Sequence, residues 1–287
     1  MTYWVDLLGC QVRFVGNRHR TRIIEYGSGA PLILLHGTGG HAENWVRNIK
    51  PLGAHYRIIA PDFLWHGASD TDNFQPEIMP GLIAQVLDLM DALGLDRAHV
   101  EGQSLGGWVA ALLAMRHPER VRKVILTVPM GYLPDPGSIP GYVPMEFTKL
   151  REASLACLAN PDWATMRQRV ERLVANPAIV PDEAIAVRQR FYQDPAINAA
   201  QRQVITHYLG GEAPMRHALT DAGLRGITAP TLVYWGEQNL TPPVLGERIA
   251  SQVPGARYHC TPGTGHWAQF ENHAEHDRVV LDFLATA

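Results

Sequence analysis

The chain has no excess of positive charge. Lys and Arg total 25 against 28 Asp and Glu, a formal net charge of −3. That balance gives no electrostatic attraction to nucleic acid or to an anionic membrane surface, and neither is expected as a partner. No apolar run approaches the length of a membrane span, and no basic segment leading into an apolar core marks a signal peptide near Met1. The three cysteines, Cys10, Cys157 and Cys260, are far apart and odd in number. They form neither a disulfide framework nor a metal-ligand cluster, and they suit a reducing, cytoplasmic setting. The glycines at 36–40 lack the G-x-G-x-x-G spacing with a later acidic residue that a dinucleotide needs. No metal and no cofactor is therefore expected. What remains, over 287 residues with 46% hydrophobic and 18% charged content, is a globular chain with a large core.

The stretch Gly102-Gln-Ser-Leu-Gly106 is the feature around which the rest is organised. It fits G-x-S-x-G, a tight strand-to-helix turn that lifts a serine hydroxyl clear of a parallel sheet. A Cβ at either glycine would collide with neighbouring backbone. The flanks agree, since 98–102 reads as a short strand and 105–117 is rich in Ala, Leu, Val and Met at helical spacing. The plainer alternative is a glycine turn whose serine merely caps the helix.

Before this turn, 11–15 and 21–26 read as a hairpin and 31–35 as a strand buried on both faces. Next come His36-Gly-Thr-Gly-Gly40, a strand at 56–60 and a helix at 80–93. The glycine-rich loop at 36–40, placed at the end of a buried strand, is expected to bring backbone N–H groups close to a ligand atom as the second half of an oxyanion hole, the plainer alternative being an ordinary βα loop; His36 itself is expected to pack the loop. After the turn, 121–128 is a further strand. Strands alternating with helices predict an α/β fold, a mostly parallel sheet with helices on both faces.

Between Pro129 and Pro230 the rhythm changes to proline-punctuated helices at 146–159, 162–175, 182–193 and 196–209. The expected division is a core at 1–129, a helical lid at 130–229 and the second part of the core at 230–287. The lid would cover the strand ends, where such sheets bind ligands. Strands at 231–235 and 257–260, a helix at 243–252 and a C-terminal helix complete the core. His266, just after a Gly-x-Gly turn near the last strand, stands where the order Ser…acid…His places a general base.

With His36-Gly37, Asp62…Gly67-Ala-Ser69, Gly102–Gly106 and Gly265-His266 in hand, the sequence resembles an α/β-hydrolase over essentially its whole length. Gly265-His-Trp-Ala-Gln-Phe-Glu271 resembles the carbon–carbon bond hydrolases that cleave meta-ring-fission products of aromatic catabolism. Val187-Arg-Gln-Arg-Phe-Tyr192 resembles their lid segment with a substrate-contacting arginine, here Arg188. The resemblance implies Ser104, His266 and the residue at 239 as the catalytic set. It also implies an oxyanion hole from Thr38, Gly39 and Leu105, and substrate contacts from Arg188, Trp267 and Gln103. Arg188 has a competing reading as one charge of a solvated helix face.

Two departures stand out. Gln103 replaces the usual Asn before the nucleophile. Asn239 replaces the usual Asp, and so lacks the charge that stabilises an imidazolium; in a serine protease that change lowers turnover by about four orders of magnitude. Asn239 is the native orienting group, an inactivating replacement, or bypassed by a carboxylate such as Glu237 or Asp135; the first is favoured.

The implied reaction is hydrolysis of a 2-hydroxy-6-oxohexa-2,4-dienoate, a small molecule, to a 2-hydroxypentadienoate and a carboxylic acid. A carboxylesterase and a weakly catalytic ligand receptor are the alternatives. The resemblance further suggests a homo-oligomer, a dimer or larger. The group on the acid product depends on side chains such as Met130, Tyr132, Tyr142, Met145, Phe147 and Leu150.

Overall fold

Leu32, Ile33, Leu34 and Leu35 are all fully buried, and they point alternately into two different apolar layers. Ile33 and Leu35 meet Leu82, Val86, Val109 and Leu113 on one side of the sheet. Leu32 and Leu34 meet Trp45, Ile49 and Phe283 on the other. A period of two with both faces apolar is the signature of a strand sandwiched between helices. The computed structural model describes residues 2–143, 147–209 and 214–286, so Met145 and the start of the expected helix at 146 lie outside the described residues.

Eight strands form one sheet: β1 (Gln11–Val15), β2 (Thr21–Tyr26), β3 (Pro31–Leu35), β4 (Arg57–Pro61), β5 (Ala98–Gln103), β6 (Val121–Thr127), β7 (Thr231–Gly236) and β8 (Arg257–Thr261). Their order is β1-β2-β4-β3-β5-β6-β7-β8. The hairpin β1–β2 and the pair β2–β4 are antiparallel. Every other pair is parallel. This is the expected α/β architecture, with the hairpin as its antiparallel edge.

β6 stops one residue before the predicted end. Val128 has a φ of 42°, a left-handed turn that a β-branched residue adopts only under constraint. Among the described residues, the segment between β6 and β7 holds helices Phe147–Ala159, Trp163–Glu171, Asp182–Gln193 and Pro195–Tyr208 and no strand of the sheet. The second of these ends short of the predicted residue 175. The Leu173 carbonyl instead accepts the Trp267 N–H at 2.7 Å, which turns the chain onto the loop that follows β8.

A buried polar cluster ties β5 to the C-terminal helix His273–Ala285. Glu101 and His276 are fully buried, with Nε2 of the histidine 2.7 Å from Oε1 of the glutamate. Asp277 sits 3.0 Å from Nδ1. The Thr127 hydroxyl donates to Glu101 and the Asn48 amide to Asp277. Burial alone opposes a charge on His276, but Glu101 and Asp277 outweigh it and push the imidazole up to about 10. The folded group therefore holds a proton that the unfolded chain releases near pH 6.5. Its contribution to stability is complete below that pH and fades as pH rises toward 10. Denaturant melts at pH 6, 8 and 10 test this: stability should fall across the series, and His276→Gln should remove the slope while lowering stability at pH 6.

Candidate active site

Ser104 occupies the corner between β5 and the helix Leu105–Arg116 with φ 57° and ψ −114°, outside the regions that non-glycine residues ordinarily populate. The neighbouring glycines are demanded by close approach. A Cβ on Gly102 would lie 2.0 Å from the Gly106 carbonyl oxygen, and one on Gly106 would lie 2.2 Å from that of Leu35. The plainer reading of Ser104 as a helix cap does not hold, because its side chain makes no capping bond. Among the described residues its hydroxyl has no hydrogen-bond partner, and it opens into a cavity of about 120 Å³ that His266 also lines.

Across from it runs the loop after β3. Gly37 packs so closely that a Cβ there would meet Gln103 Oε1 at 2.4 Å and Ser104 Cβ at 3.1 Å. Gly39 has a φ of 67°, which glycine adopts without strain. Leu105 begins its helix, where backbone N–H groups have no intrahelical acceptor. The loop carrying Thr38 and Gly39 and the N–H of Leu105 thus flank the serine. His36 packs the loop from beneath: its Nε2 accepts from Phe63 N at 3.0 Å, and complete burial holds its pKa well below 6.5.

His266 follows β8, and its ring is clamped on the side away from the cavity. Its Nδ1–H donates to Asn239 Oδ1 at 2.6 Å, while the Asn239 amide nitrogen donates to Thr241 Oγ1 at 2.9 Å. That arrangement leaves Nε2 as the acceptor nitrogen. The loops are forced together at Gly236, where a Cβ would stand 2.3 Å from the Gly265 carbonyl oxygen. Glu237 is exposed and accepts from Gly263 N; Asp135 is exposed as well. Neither carboxylate reaches His266 in the structure, and Asn239 does.

Two further groups hold the histidine. Gln103 Nε2 donates to the His266 carbonyl at 2.9 Å, so its amide faces the histidine backbone although the residue borders the cavity. Glu271 accepts from Gly265 N at 2.6 Å and from the Ala175 and Asn176 N–H groups. It thereby fastens the loop to the helical segment.

Arg188 is 2% exposed, which overturns the reading of a solvated helix face. Its Nη2 donates to Asn44 Oδ1 at 3.0 Å. Trp267 lies face to face with Phe270, centroids 4.0 Å apart. The same cavity is lined by Asn44, Arg169, Arg172 and Tyr208, four residues that no motif in the sequence singles out. Arg169 Nε, Arg188 Nε and Trp267 Nε1 are buried there with no protein partner, while the Thr38 and Tyr208 hydroxyls face each other. All three nitrogens carry a hydrogen to donate. A buried set of unmatched donors is the complement of an oxygen-rich anion.

A matching α/β-hydrolase fold family spans residues 30–273, and the chain belongs to that family. Within it, the chain is 33% identical over 279 residues to a 2-hydroxy-6-oxo-6-phenylhexa-2,4-dienoate hydrolase of Burkholderia cepacia, covering 93% of this chain and 91% of the relative. It is 32% identical to a 2-hydroxy-6-oxononadienedioate/2-hydroxy-6-oxononatrienedioate hydrolase of Comamonas testosteroni, with the same coverage. The solved 2-hydroxy-6-oxo-6-phenylhexa-2,4-dienoate hydrolase of Rhodococcus sp. strain RHA1 superposes with a TM-score of 0.84 at 25% identity, covering 96% of this chain and all of that one (100%). A naproxen esterase from Bacillus subtilis shares the fold at a TM-score of 0.73 and 21% identity.

Burial, with no carboxylate beside it, lowers the His266 pKa to about 4. The ring is then neutral, with a free Nε2, at any pH above about 5. Asn239→Asp would place a negative charge against Nδ1 and raise that pKa by about 1 to 3 units. NMR titration of the His266 ring in both forms measures the shift; an unchanged midpoint would show that residue 239 does not set the charge state.

Proposed function

We propose that the protein hydrolyses the C5–C6 bond of a 2-hydroxy-6-oxohexa-2,4-dienoate, releasing a 2-hydroxypentadienoate and a carboxylic acid. The observation that carries this reading is the buried Arg188 and its unmatched donor neighbours, facing the same cavity as Ser104 and His266. An esterase pocket needs no buried guanidinium; a substrate with a terminal carboxylate does. The similarity to dienoate hydrolases supports the same choice.

In this mechanism Arg188, steadied by Asn44, holds the carboxylate. His266 Nε2 passes a proton toward C5, which converts the dienol to its 2-oxo form. Ser104, or a water activated by His266, then attacks the C6 carbonyl. The N–H of Leu105 and one from Thr38–Gly39 face the oxyanion as charge develops. C5 leaves with its bonding electrons, which the 2-oxo group accepts by conjugation, and the new enol is the pentadienoate. Trp267 forms part of the cavity wall. The neutral Asn239 suffices because it orients a histidine that mainly moves protons on the substrate.

The substituent on C6 extends into a second cavity of about 360 Å³, lined by Trp108, Tyr132, Tyr142, Phe147 and Trp235 among others. The two cavities share Met130, Tyr208 and Leu209 as walls, so an aryl group fits this space. The three free cysteines support a reducing, cytoplasmic setting. Among the described residues no helix is long and apolar enough to cross a membrane.

The test is decay of dienolate absorbance with the 6-phenyl substrate. Wild type should turn over, Ser104→Ala should lose at least about a thousandfold in kcat, and Arg188→Gln should raise KM at least tenfold. Turnover of simple esters without turnover of the dienoate would refute the proposal.

A further inference from the structure

Arg169 belongs to the cavity but has no task in the reaction as derived. Its Nη1 donates to Ser154 Oγ at 2.7 Å, and its guanidinium stands 5.8 Å over the Tyr192 ring. It presses on the loop that flanks Ser104, since a Cβ on Gly39 would come 2.8 Å from Arg169 Nη2. Its Nε is buried without a partner, like that of Arg188. Among the described residues no carboxylate forms an ion pair with Arg169, Arg172 or Arg188. By contrast, the part-buried Arg22 pairs with Glu43 and Asp62.

The remaining titratable neighbours do not offset this charge. Cys157 faces both Arg169 and Arg188 and Tyr3 faces Arg188, and burial pushes the thiol and the phenol up; His36 also faces Arg188, and burial holds it well below 6.5. His66 also faces both, and burial lowers it to about 4. Tyr192 contributes a ring and a hydroxyl, while Arg172, exposed at the cavity mouth, adds a further positive charge. Two guanidiniums lining one cavity, that of Arg188 buried and that of Arg169 half-buried, repel each other until an anion enters. One carboxylate answers only one of them.

The 2-hydroxyl of a 2-hydroxy-6-oxodienoate sits on the carbon next to the carboxylate, so a group beside Arg188 falls within its reach. We propose that Arg169 binds this C2 oxygen and holds it as the enolate, so that the substrate is bound as a dianion across the Arg188–Arg169 pair. This rests on the dienoate-hydrolase reading above. On binding, the enol O–H breaks, its electron pair stays on oxygen and its proton goes to bulk solvent. Ketonisation later returns that pair to form C2=O, while C5 takes up one proton from solvent by way of His266. Such a device suits this site in particular: a histidine without a carboxylate partner is a feeble base toward an enol, and a nearby cation makes the enol more acidic.

The experiment uses Ser104→Ala, which stops at binding, with the 6-phenyl substrate titrated from pH 4 to 9 and the long-wavelength absorbance of bound dienolate recorded. The midpoint should rise by about one unit or more in Ser104→Ala/Arg169→Gln and in the Arg169→Met counterpart, and fall back in Arg169→Lys, which keeps the charge. In the Ser104 background, Arg169→Gln should lower kcat at least tenfold for both the 6-phenyl substrate and the nonadienedioate. Unmoved midpoints in the neutral variants would overturn the assignment. So would a loss confined to the nonadienedioate, because Arg169 would then be holding a distal carboxylate. Failure of Ser104→Ala itself to bind either substrate would instead defeat the dienoate reading, and this inference with it.

Discussion

Backbone contact at the end of β5 is the constraint on which the rest of the structure depends. Gly102 and Gly106 let the chain reverse within van der Waals distance of β3 and of the helix start, and the reversal forces Ser104 to a positive φ. That conformation is unfavourable by itself, at about 1–3 kcal/mol for a non-glycine residue. It persists because β5 is pinned on both sides, by parallel pairing with β3 and β6. From below, Glu101 anchors it to His276. The strain at the serine is held by a fully buried strand, and so the hydroxyl has one position and not several.

The loops around that hydroxyl are located by the same means. Gly37, Gly236 and Gly265 each stand where a side chain would strike a neighbouring loop. The oxyanion loop, the Asn239 turn and the His266 loop can therefore converge only because these positions lack a Cβ. Polar tethers then fix the register: Gln103 and Glu271 hold the histidine loop from the core and from the helical segment. The electrostatic character of the site follows from burial combined with a shortage of acid. His266 has only an amide beside it, and the guanidiniums of Arg169 and Arg188 have only neutral partners. A site of this kind remains short of negative charge until a substrate supplies it.

Much of the architecture was legible along the chain because it is written in local patterns. Pro31–Leu35 reads as a doubly buried strand from its unbroken apolar run, and the helix after Ser104 reads from its spacing. Boundaries were less legible where a tertiary contact ended an element: Val128 turns left-handed after β6, and Leu173 gives its carbonyl to Trp267. Arg188 had two readings, and the structure puts it in the cavity. Its helix has charges at positions a surface face would also have, and only packing against Asn44 and the loop below shows which way the face turns. Asn44, Arg169, Tyr208 and Glu271 carry no motif. Each is an ordinary residue type whose role comes from what another part of the chain brings to it.

The sequence by itself determined the sheet-and-helix rhythm, the serine corner and the order Ser, Asn, His, because glycine spacing, apolar periodicity and chain order are properties of neighbours. Only the tertiary structure decided that Asn239, and neither Glu237 nor Asp135, meets His266, and that three arginines from the helical segment share the serine's cavity. Those outcomes depend on which side chains, distant in sequence, are desolvated together. Burial and charge at a site are sums over all the elements that enclose it, and no single stretch of chain contains them.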